Sequence, residues 1–356
     1  MSRKVMVAMS GGVDSSVAAF LLKGAGYDVA GATMCLGVRG AEDGRTRRCG
    51  SHAVEDARRV CEVLGIAHYR FDFSEYLQKR VIDPFVAEYV RGRTPNPCVE
   101  CNRSLKFGLL LEKAAAAGFD CLATGHYAAI EEGDGRHLLR RAGDRRKDQT
   151  YFLYGIPASF LASILFPLAS HTKEEVRRIA ERAKLPVAEK RESQDICFIT
   201  GKKYTDFVLE RIRGAAREGP IVDVAGNVIG SHRGVIHHTV GQRSGMRIGG
   251  RAPLYVVAID AAGNRIVAGE RKDLLSRGLV ASDVNVLVER WPDRICGKIR
   301  YRKKESPCRA WREGRRMRVM FEEMQEAVTP GQSVVLYDGD TVLGGGIIEE
   351  VDHGDR

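Results

Sequence analysis

The amino-acid sequence predicts an α/β protein, in which an N-terminal doubly wound parallel sheet is followed by a small central domain and a C-terminal β-barrel. Over about the first 200 residues, short apolar runs alternate with segments of helical periodicity, the pattern of parallel strands connected by helices. A glycine-rich turn, Ser10–Gly12, joins the first apolar run to the first helical segment. From Gly219 onward, short strand-like runs separated by turn residues replace this alternation.

The N-terminal elements follow from periodicity, in chain order. The predicted strands are Val5–Met9, Asp28–Leu36, His68–Phe73 and Cys121–Thr124. The predicted helices are Val13–Leu22, His52–Leu64, Glu75–Val90 and Ser104–Ala117. Thr172 and Glu175 form a capping-box pattern that opens a further helix, through about Ala183. The last substantial predicted helix is Tyr204–Arg213.

The C-terminal half predicts strands and hairpins. Turn residues at 225–227 and 261–264 separate two pairs of strands, which predicts two hairpins. The predicted strands are Ile221–Val224, Val228–Ile229, Tyr255–Ile259, Arg265–Ala268, Val284–Val288, Met317–Phe321, Ser333–Tyr337 and Val342–Ile348. We therefore expect three segments: an α/β domain over 1–203, a small linking domain over 204–273 and a β-barrel over 274–356.

Composition excludes several classes of protein. The chain has 356 residues, of which 44% are hydrophobic and 29% charged, so it has enough apolar side chains for a folded core. The most apolar stretch, Phe160–Ala169, is too short to cross a bilayer, and the first residues do not resemble a secretory signal. Nine cysteines without an export signal predict a reducing cytoplasm, with thiols available for catalysis or metal binding.

The positive charge is concentrated in one stretch. The formal net charge is +10, and the segment Arg290–Arg318 contains twelve Lys or Arg residues against three acids. Trp291, Tyr301 and Trp311 lie in the same segment, a combination suited to a polyanion whose bases can stack. A solvated strand face with its aromatic residues in the core explains the pattern equally well. A second basic cluster, Arg136–Lys147, favours nucleic acid.

The turn after the first strand is typical of a phosphate-binding loop. Gly11 and Gly12 allow close backbone approach, and the N–H groups at the helix start can bind an anion with the hydroxyls of Ser10 and Ser15. Asp14 can orient the loop or help to hold Mg²⁺. The sequence matches neither a Walker A loop nor GxGxxG. An ordinary turn capped by Asp14 is the less favoured alternative.

Three cysteines stand in motifs. Cys98 and Cys101 lie in a loop stiffened by Pro95 and Pro97, and Cys197 lies in a strand-like run. We expect a helix from Ser104, whose N-terminus would lower the pKa of Cys101. A nucleotide loop together with such cysteines indicates sulfur carriage.

Together these motifs resemble the tRNA-specific 2-thiouridylase family of pyrophosphatase-loop enzymes. The motifs that carry the resemblance are SGGVDS at 10–15, TPNPCVECN at 94–102, ATGHYA at 123–128, KDQTYFL at 147–153, ESQDICF at 192–198 and HHTVGQR at 237–243. The resemblance implies an adenylation domain, a central domain and a β-barrel. It also implies that ATP, with Mg²⁺, activates the C2 oxygen of the wobble uridine at tRNA position 34 for replacement by sulfur.

The resemblance also assigns residue roles. The implied ATP-binding residues are Ala8, Met9, Ser10, Gly11, Gly12, Val13, Asp14, Ser15, Met34 and Gly125. Cys197 would carry a persulfide from a sulfur-relay protein or cysteine desulfurase, and Cys101 would be the second catalytic cysteine. Asn96, Pro97 and Cys98 would contact the target base. The implied tRNA contacts are His126, Lys147, Asp148, Gln149, Arg300, Tyr301 and Gln332.

One departure from the family changes the expected chemistry. Many members have aspartate where this chain has Cys98, so that Cys98, Cys101 and Cys197 become three candidate ligands for a [4Fe–4S] cluster with one open iron. A cluster and a Cys197 persulfide are close alternatives, with a slight preference for the cluster. A four-cysteine zinc site lacks an evident fourth ligand.

Two rival functions remain open at this stage. A small-molecule adenylating ligase would need the phosphate loop but neither the paired cysteines nor the basic tail. A non-enzymatic tRNA-binding iron–sulfur protein would need the tail and cysteines but not the loop. Because the chain has all three features, we expect the tRNA-thiolating enzyme, as a cytoplasmic monomer without a membrane partner.

Overall fold

The computed structural model describes residues 2–37, 52–133, 135–191, 196–199, 201–212, 216–246, 248 and 253–353. The α-helices are α1 (Val13–Gly24), α2 (His52–Leu64), α3 (Ser74–Leu77), α4 (Asp83–Val90), α5 (Pro97–Glu100), α6 (Leu111–Ala116), α7 (Lys173–Arg182) and α8 (Tyr204–Leu209). Wider π-helical segments, Gln78–Ile82 and Cys101–Leu110, connect α3 to α4 and α5 to α6. Short 3₁₀ turns lie at Thr150–Phe152, Ala158–Ser163, Val235–His237 and Arg271–Leu274. None of the described helices is long and apolar enough to span a membrane.

Strands account for most of the remaining regular structure. The first seven are β1 (Lys4–Ala8), β2 (Asp28–Cys35), β3 (Ala67–Asp72), β4 (Cys121–Thr124), β5 (Ala128–Gly133), β6 (Arg136–Arg141) and β7 (Ile164–Leu165). The next four are β8 (Gly219–Val222), β9 (Val228–His232), β10 (Tyr255–Asp260) and β11 (Arg265–Gly269). The last six are β12 (Leu275–Val286), β13 (Ile295–Lys298), β14 (Ser306–Glu313), β15 (Arg316–Glu326), β16 (Ser333–Asp338) and β17 (Thr341–Asp352).

The chain divides into two compact units, and the first comprises residues 1–81, 98–201 and 340–342. Its parallel sheet has the strand order β3-β2-β1-β4-β7, with β1 in the middle. Strands are added on both sides of β1, which confirms the predicted doubly wound sheet. Buried apolar residues of β1, α1 and α2 form much of its core, including Val5, Val17 and Val60. The turn between β1 and α1 therefore lies at the carboxyl edge of the sheet, where such folds bind ligands.

The second unit comprises residues 82–97, 202–339 and 343–356. Strands β8–β11 form a four-stranded sheet that contains both predicted hairpins, β8–β9 and β10–β11. Six further strands, in the order β12-β15-β14-β13-β16-β17, close into a barrel because β17 also pairs with β12. The predicted central module and terminal barrel are therefore confirmed.

Several elements were missed by periodicity. The hairpin β5–β6 belongs to the first unit, and β13 and β14 complete the barrel. These strands mix charged and apolar residues without a clean two-residue repeat, so the alternation that marks a half-buried strand is absent. The last predicted helix is shorter than expected, since α8 ends at Leu209.

Candidate active site

The phosphate loop adopts a conformation that its two glycines make accessible. Gly11 has φ +68°, and a Cβ there would lie 2.2 Å from the carbonyl oxygen of Ala53. Gly12 is the N-cap of α1, and its carbonyl accepts hydrogen bonds from the hydroxyls of Ser15 (3.2 Å) and Ser16 (2.8 Å). The first N–H groups of a helix have no acceptor within the helix, so the start of α1 can bind an anion.

Lys190 holds this loop from outside the predicted motif. Its ammonium donates to the carbonyl oxygen of Gly11 at 2.8 Å and to Oδ2 of Asp56 at 2.7 Å. The lysine thus links the loop to α2. This contact fixes the carbonyl of Gly11 in the phosphate loop.

Asp14, the candidate Mg²⁺ ligand, is engaged with protein groups. Its Oδ1 lies 2.6 Å from the ammonium of Lys173 and accepts a hydrogen bond from the Tyr127 hydroxyl at 3.0 Å. A carboxylate that already pairs with a lysine ammonium has less negative charge to offer a divalent cation. Of the two sequence alternatives, the structure therefore favours a role for Asp14 in orienting the loop.

Gly125 follows β4 and Met34 lies near the end of β2, and these two strands flank β1 in the sheet. A Cβ on Gly125 would lie 2.6 Å from the carbonyl carbon of Asp14 and 2.6 Å from the backbone nitrogen of Ser15, so only glycine allows this approach. Met34 is half-buried near the carboxyl end of β2, beside β1 in the sheet. Both lie on the side of the sheet from which the loop emerges.

The cysteine loop differs from its predicted conformation. The helical stretch begins at Pro97 rather than Ser104, so Cys101 lies inside it and is buried. Burial raises the pKa of Cys101, so the predicted lowering by a helix N-terminus is wrong. Lys106 follows Cys101 by five residues in the π-helical segment, and the charge of its ammonium opposes the rise in the pKa of Cys101.

Cys197 lies in a turn, not in the predicted strand. The amide of Ile199 donates to the carbonyl of Ile196 at 2.8 Å across this turn. The Cys197 side chain is exposed, yet the surrounding protein desolvates the thiolate and, with Cys101 and Cys98, raises its pKa to about 12. The three cysteines therefore lie within electrostatic range of one another.

Lys106 is the cation that the three thiols share. Desolvation raises the pKa of Cys98, Cys101 and Cys197, and the ammonium of Lys106 opposes that rise at each. Cys98 is exposed to solvent like Cys197. Lys106 thus lies near two accessible thiols, Cys98 and Cys197, and one buried thiol, Cys101, and its charge favours any thiolate among them.

The three thiols do not form a metal site in this arrangement. Among the residues that the structure describes, no three Cys, His, Asp or Glu side chains are grouped closely enough to hold a metal ion. The cluster expectation therefore lacks its ligand set here. Of the remaining described cysteines, Cys61 and Cys121 are buried in the core, and Cys35 is buried and disulfide-bonded.

His126 packs beside Phe107 of the π-helical segment Cys101–Leu110. Its ring packs against both Phe107 and Phe166, with centroid distances of 5.9 and 6.2 Å, and its Nδ1 is 2.7 Å from the hydroxyl of Thr124. Burial and the charge of Lys106 hold the pKa of His126 well below its usual range. The ring is therefore neutral at physiological pH, and any contact with RNA would be made by a neutral imidazole.

The Lys147–Gln149 run contains two residues with structural roles. Asp148 is buried, and its carboxylate accepts from the Thr150 hydroxyl at 2.8 Å. Gln149 exchanges two hydrogen bonds with the backbone of Tyr127. Lys147 instead lines a basic recess of about 310 Å³ with Asp144, Arg146, Lys173, Glu174 and Arg177. Among Lys147, Asp148 and Gln149, Lys147 is therefore the residue whose side chain lines an open recess.

The remaining candidate tRNA residues lie in the second unit. Arg300 donates to the carbonyl of Val240 at 2.9 Å and to the hydroxyl of Thr329, and Gln332 donates to the carbonyl of Thr94 at 2.7 Å. Tyr301 is half-buried and lies 5.5 Å from the ammonium of Lys298. In the basic segment, Arg294, Arg312, Arg316 and Arg318 form ion pairs. The side chains of Arg302, Lys304, Arg309 and Arg315 are exposed to solvent.

Sequence reasoning missed the three lysines that organise the site. Lys173 and Lys190 contact Asp14 and Gly11, which are far from them in the sequence. Lys106 acts on Cys101, five residues before it in the π-helical segment. Only Lys173 stood in a singled-out motif, the capping box, which the structure confirms between Thr172 and Glu175. A single sequence offers no signal that distinguishes these lysines from solvated ones.

Comparisons with known proteins cover nearly the whole chain. The model of the tRNA methyl transferase HUP domain matches residues 3–201, that of the tRNA methyl transferase PRC-barrel domain matches 205–270, and that of the aminomethyltransferase beta-barrel domain matches 276–348. The order of the three models agrees with the α/β sheet, the central module and the barrel.

Two curated relatives match at high identity. The "tRNA-specific 2-thiouridylase MnmA 1" of Syntrophus aciditrophicus is 56% identical over 353 residues, which is 99% of this chain and 94% of the relative. The "tRNA-specific 2-thiouridylase MnmA" of Moorella thermoacetica is 47% identical over 357 residues, which is 97% of this chain and 99% of the relative.

Proposed function

The chain belongs to the tRNA-specific 2-thiouridylase family of tRNA sulfurtransferases, and we propose that it replaces the C2 oxygen of uridine 34 in tRNA with sulfur, using ATP. The observation that carries the proposal is the presence of a phosphate loop and a set of thiols in one unit. Gly125, directly after β4, packs against Asp14 and Ser15 of the phosphate loop. Cys101 lies in the helical stretch that precedes β4.

ATP activates the oxygen in the first step of the proposed reaction. The loop amides at the start of α1 bind phosphate oxygens, while Lys190 and the Asp14–Lys173 pair keep the loop in shape. The uridine O2 attacks the α-phosphorus, pyrophosphate leaves, and O2 becomes part of a good leaving group. Mg²⁺ would accompany the triphosphate and neutralise its charge, since it commonly needs only one or two protein carboxylates.

Sulfur transfer would use Cys197 and Cys101. A persulfide donor, supplied by a sulfur-relay protein or cysteine desulfurase, places a terminal sulfur on Cys197. That sulfur attacks C2, and AMP leaves with the former O2. The Cys101 thiolate then attacks the sulfur of Cys197, which releases the thiolated base and forms a Cys101–Cys197 disulfide. A dithiol reductant restores both thiols.

The persulfide scheme is preferred over the cluster because the described residues do not form a metal-ligand group. Asn96, Pro97 and Cys98 are proposed to contact the target base, and Cys98 is exposed. His126, Lys147 and the barrel residues Arg300 and Tyr301 are proposed to contact tRNA. We propose that the enzyme works as a monomer in the cytoplasm, where its tRNA substrate is used.

A thiolation assay tests the function. Purified protein is incubated with unmodified tRNA containing uridine 34, ATP, Mg²⁺, a persulfide donor and dithiothreitol, and 2-thiouridine is measured by mass spectrometry. Cys101→Ser and Cys197→Ser should each abolish product, whereas Cys296→Ser in the barrel should not. Wild-type yield from either active-site variant would contradict the proposed roles.

The same assay separates the rival functions. AMP and pyrophosphate formed only with tRNA support thiolation, whereas AMP formed with a small carboxylate or nucleotide alone would support a ligase. No turnover with tRNA binding intact would support a binding protein. Iron and sulfide analysis of anaerobically purified protein adds a further test, since about four irons per chain, lost with activity in Cys98→Ala, would restore the cluster scheme.

A further inference from the structure

The segment that leads into the cysteine loop is held at Thr94 by groups of the second unit. The backbone amide of Thr94 donates to the carbonyl of Pro330 at 3.0 Å, and the side-chain amide of Gln332 donates to the carbonyl of Thr94 at 2.7 Å. The hydroxyls of Thr94 and Thr239 lie 3.3 Å apart. We call these contacts, together with Gly331, the Thr94 seat.

The fit of the seat is close enough to require glycine. Gly331 has φ +90°, and a Cβ there would lie 2.9–3.1 Å from the backbone nitrogen, carbon and oxygen of Thr94. Two residues before Thr94, Gly92 has φ +73°, and its Cβ would lie 2.5 Å from the Cγ2 of Ile259. Because a side chain at either glycine would clash, the backbone around Thr94 is closely packed and has little room to shift without moving its neighbours.

Arg93 strengthens the same attachment. Its Nε lies 2.7 Å from a carboxylate oxygen of Glu88, and its guanidinium donates to the carbonyl of Ile348 at 3.2 Å. A second carboxylate, that of Glu349, lies 3.8 Å away. The guanidinium is therefore bound to both α4 and β17, and the residue before Thr94 is fixed independently of the seat.

In the Thr94 seat, both the backbone N–H and the backbone carbonyl of Thr94 are hydrogen-bonded. Asn96 and Pro97, which are proposed to contact the target base, follow Thr94 closely in the chain. Pro95 and Pro97 restrict the backbone on either side of Asn96, so an orientation set at Thr94 is transmitted along the chain. We propose that Gln332 is a positioning residue, which holds the backbone of Thr94 and thereby orients Asn96 and Pro97 for the target uridine. This inference rests on the proposed function.

The positioning role differs measurably from the direct tRNA contact that the family resemblance implies for Gln332. A direct contact contributes to tRNA affinity, whereas a positioning contact contributes to the rate of the chemical step once tRNA is bound. The side-chain N–H of Gln332 donates to the Thr94 carbonyl at 2.7 Å. The structure therefore favours an effect on the rate.

Hydrogen exchange tests the seat without RNA. In Gln332→Ala, the amide of Thr94 should exchange roughly three- to ten-fold faster than in the wild type, the effect of one lost hydrogen bond. The amide of Arg93, which donates to the carbonyl of Glu88, should exchange at the wild-type rate. Thr239→Val removes a different contact to Thr94 and should also speed exchange there. Arg302→Ala changes an exposed residue of the same unit, and as the matched control it should leave the Thr94 amide unchanged.

Single-turnover thiolation and tRNA affinity complete the test. Gln332→Ala should lower the single-turnover rate at least tenfold with a tRNA Kd within twofold of wild type. A weaker Kd with an unchanged rate and unchanged exchange would overturn the inference in favour of direct contact. Faster exchange with an unchanged rate would also overturn it, because the seat would then be structural only.

The failure of this inference is distinguishable from failure of the proposed function. If the wild type does not thiolate tRNA, the proposed function fails, and the catalytic role of the seat fails with it. If the wild type thiolates normally and Gln332→Ala matches it in rate and exchange, only the inference fails.

Discussion

The ammonium of Lys173 lies 2.6 Å from Oδ1 of Asp14, which links α7 to the first turn of α1. Lys173 is only 6% exposed, and the Tyr127 hydroxyl donates to the same carboxylate oxygen at 3.0 Å. A buried lysine requires a counter-charge, because an ammonium removed from water without one is costly. The aspartate of the phosphate loop supplies that charge, so the loop geometry depends on a helix far along the chain.

Lys173→Met should weaken ATP binding. The change leaves the Asp14 carboxylate without its cation and frees the first turn of α1, so we expect the Kd for ATP to rise about tenfold, roughly 1.4 kcal/mol. Isothermal titration calorimetry measures it. Lys79→Met is the control, because Lys79 forms an exposed pair within one helical segment and should have little effect. An ATP affinity equal to that of wild type would show that the pair does not support the loop.

Gly125→Ala should displace the phosphate loop. The added methyl group would lie 2.6 Å from backbone atoms of Asp14 and Ser15, and backbone cannot move aside as a flexible side chain can. We expect ATP-dependent pyrophosphate release to fall at least tenfold. Gly133→Ala adds a methyl group where nothing lies within 4 Å, so it should retain activity. Full activity of Gly125→Ala would mean that this approach is not required.

The rate at which Cys197 is alkylated should keep rising with pH well above the pH at which an ordinary thiol is fully ionised. Desolvation by the surrounding protein and the neighbouring thiols raise the pKa of Cys197 to about 12, so its thiol is protonated at neutral pH and the reactive thiolate is scarce. The rate with iodoacetamide should therefore rise about tenfold per pH unit from pH 7.5 to 10. Peptide mass spectrometry after timed alkylation follows this exposed residue. A plateau near pH 9, the behaviour of an ordinary thiol, would contradict the prediction.

Arg302 and Lys304 should contribute to the salt dependence of tRNA binding. Both are exposed, whereas Arg300 and Lys303 donate to backbone carbonyls of the second unit and are poor choices for a test of surface charge. Replacing Arg302 and Lys304 by alanine should reduce the slope of log K against log salt by about 1 to 2. Arg294→Ala is the control, since Arg294 is already paired with Glu322. An unchanged slope in the double variant would place the tRNA surface elsewhere.

Local patterns in the sequence determined four of the five strands of the parallel sheet and the position of the phosphate loop, whereas the short strand β7 was missed. The strand Cys121–Thr124 and the helix His52–Leu64 have the predicted bounds, because their periodicity is continuous. The positive φ of Gly11 likewise follows from a residue type that tolerates it. The motifs were also sufficient to indicate the family.

Tertiary structure alone decided which groups surround these motifs. Lys173 meets Asp14 across 159 residues, and Gln332 meets Thr94 across 238. The pKa of Cys101 rises because the helical stretch begins four residues earlier than it and buries the thiol, which the polar loop sequence did not indicate. Periodicity reports how one segment divides between core and solvent, whereas distant partners and desolvation are set by how segments pack. Packing therefore determined the chemistry of the site.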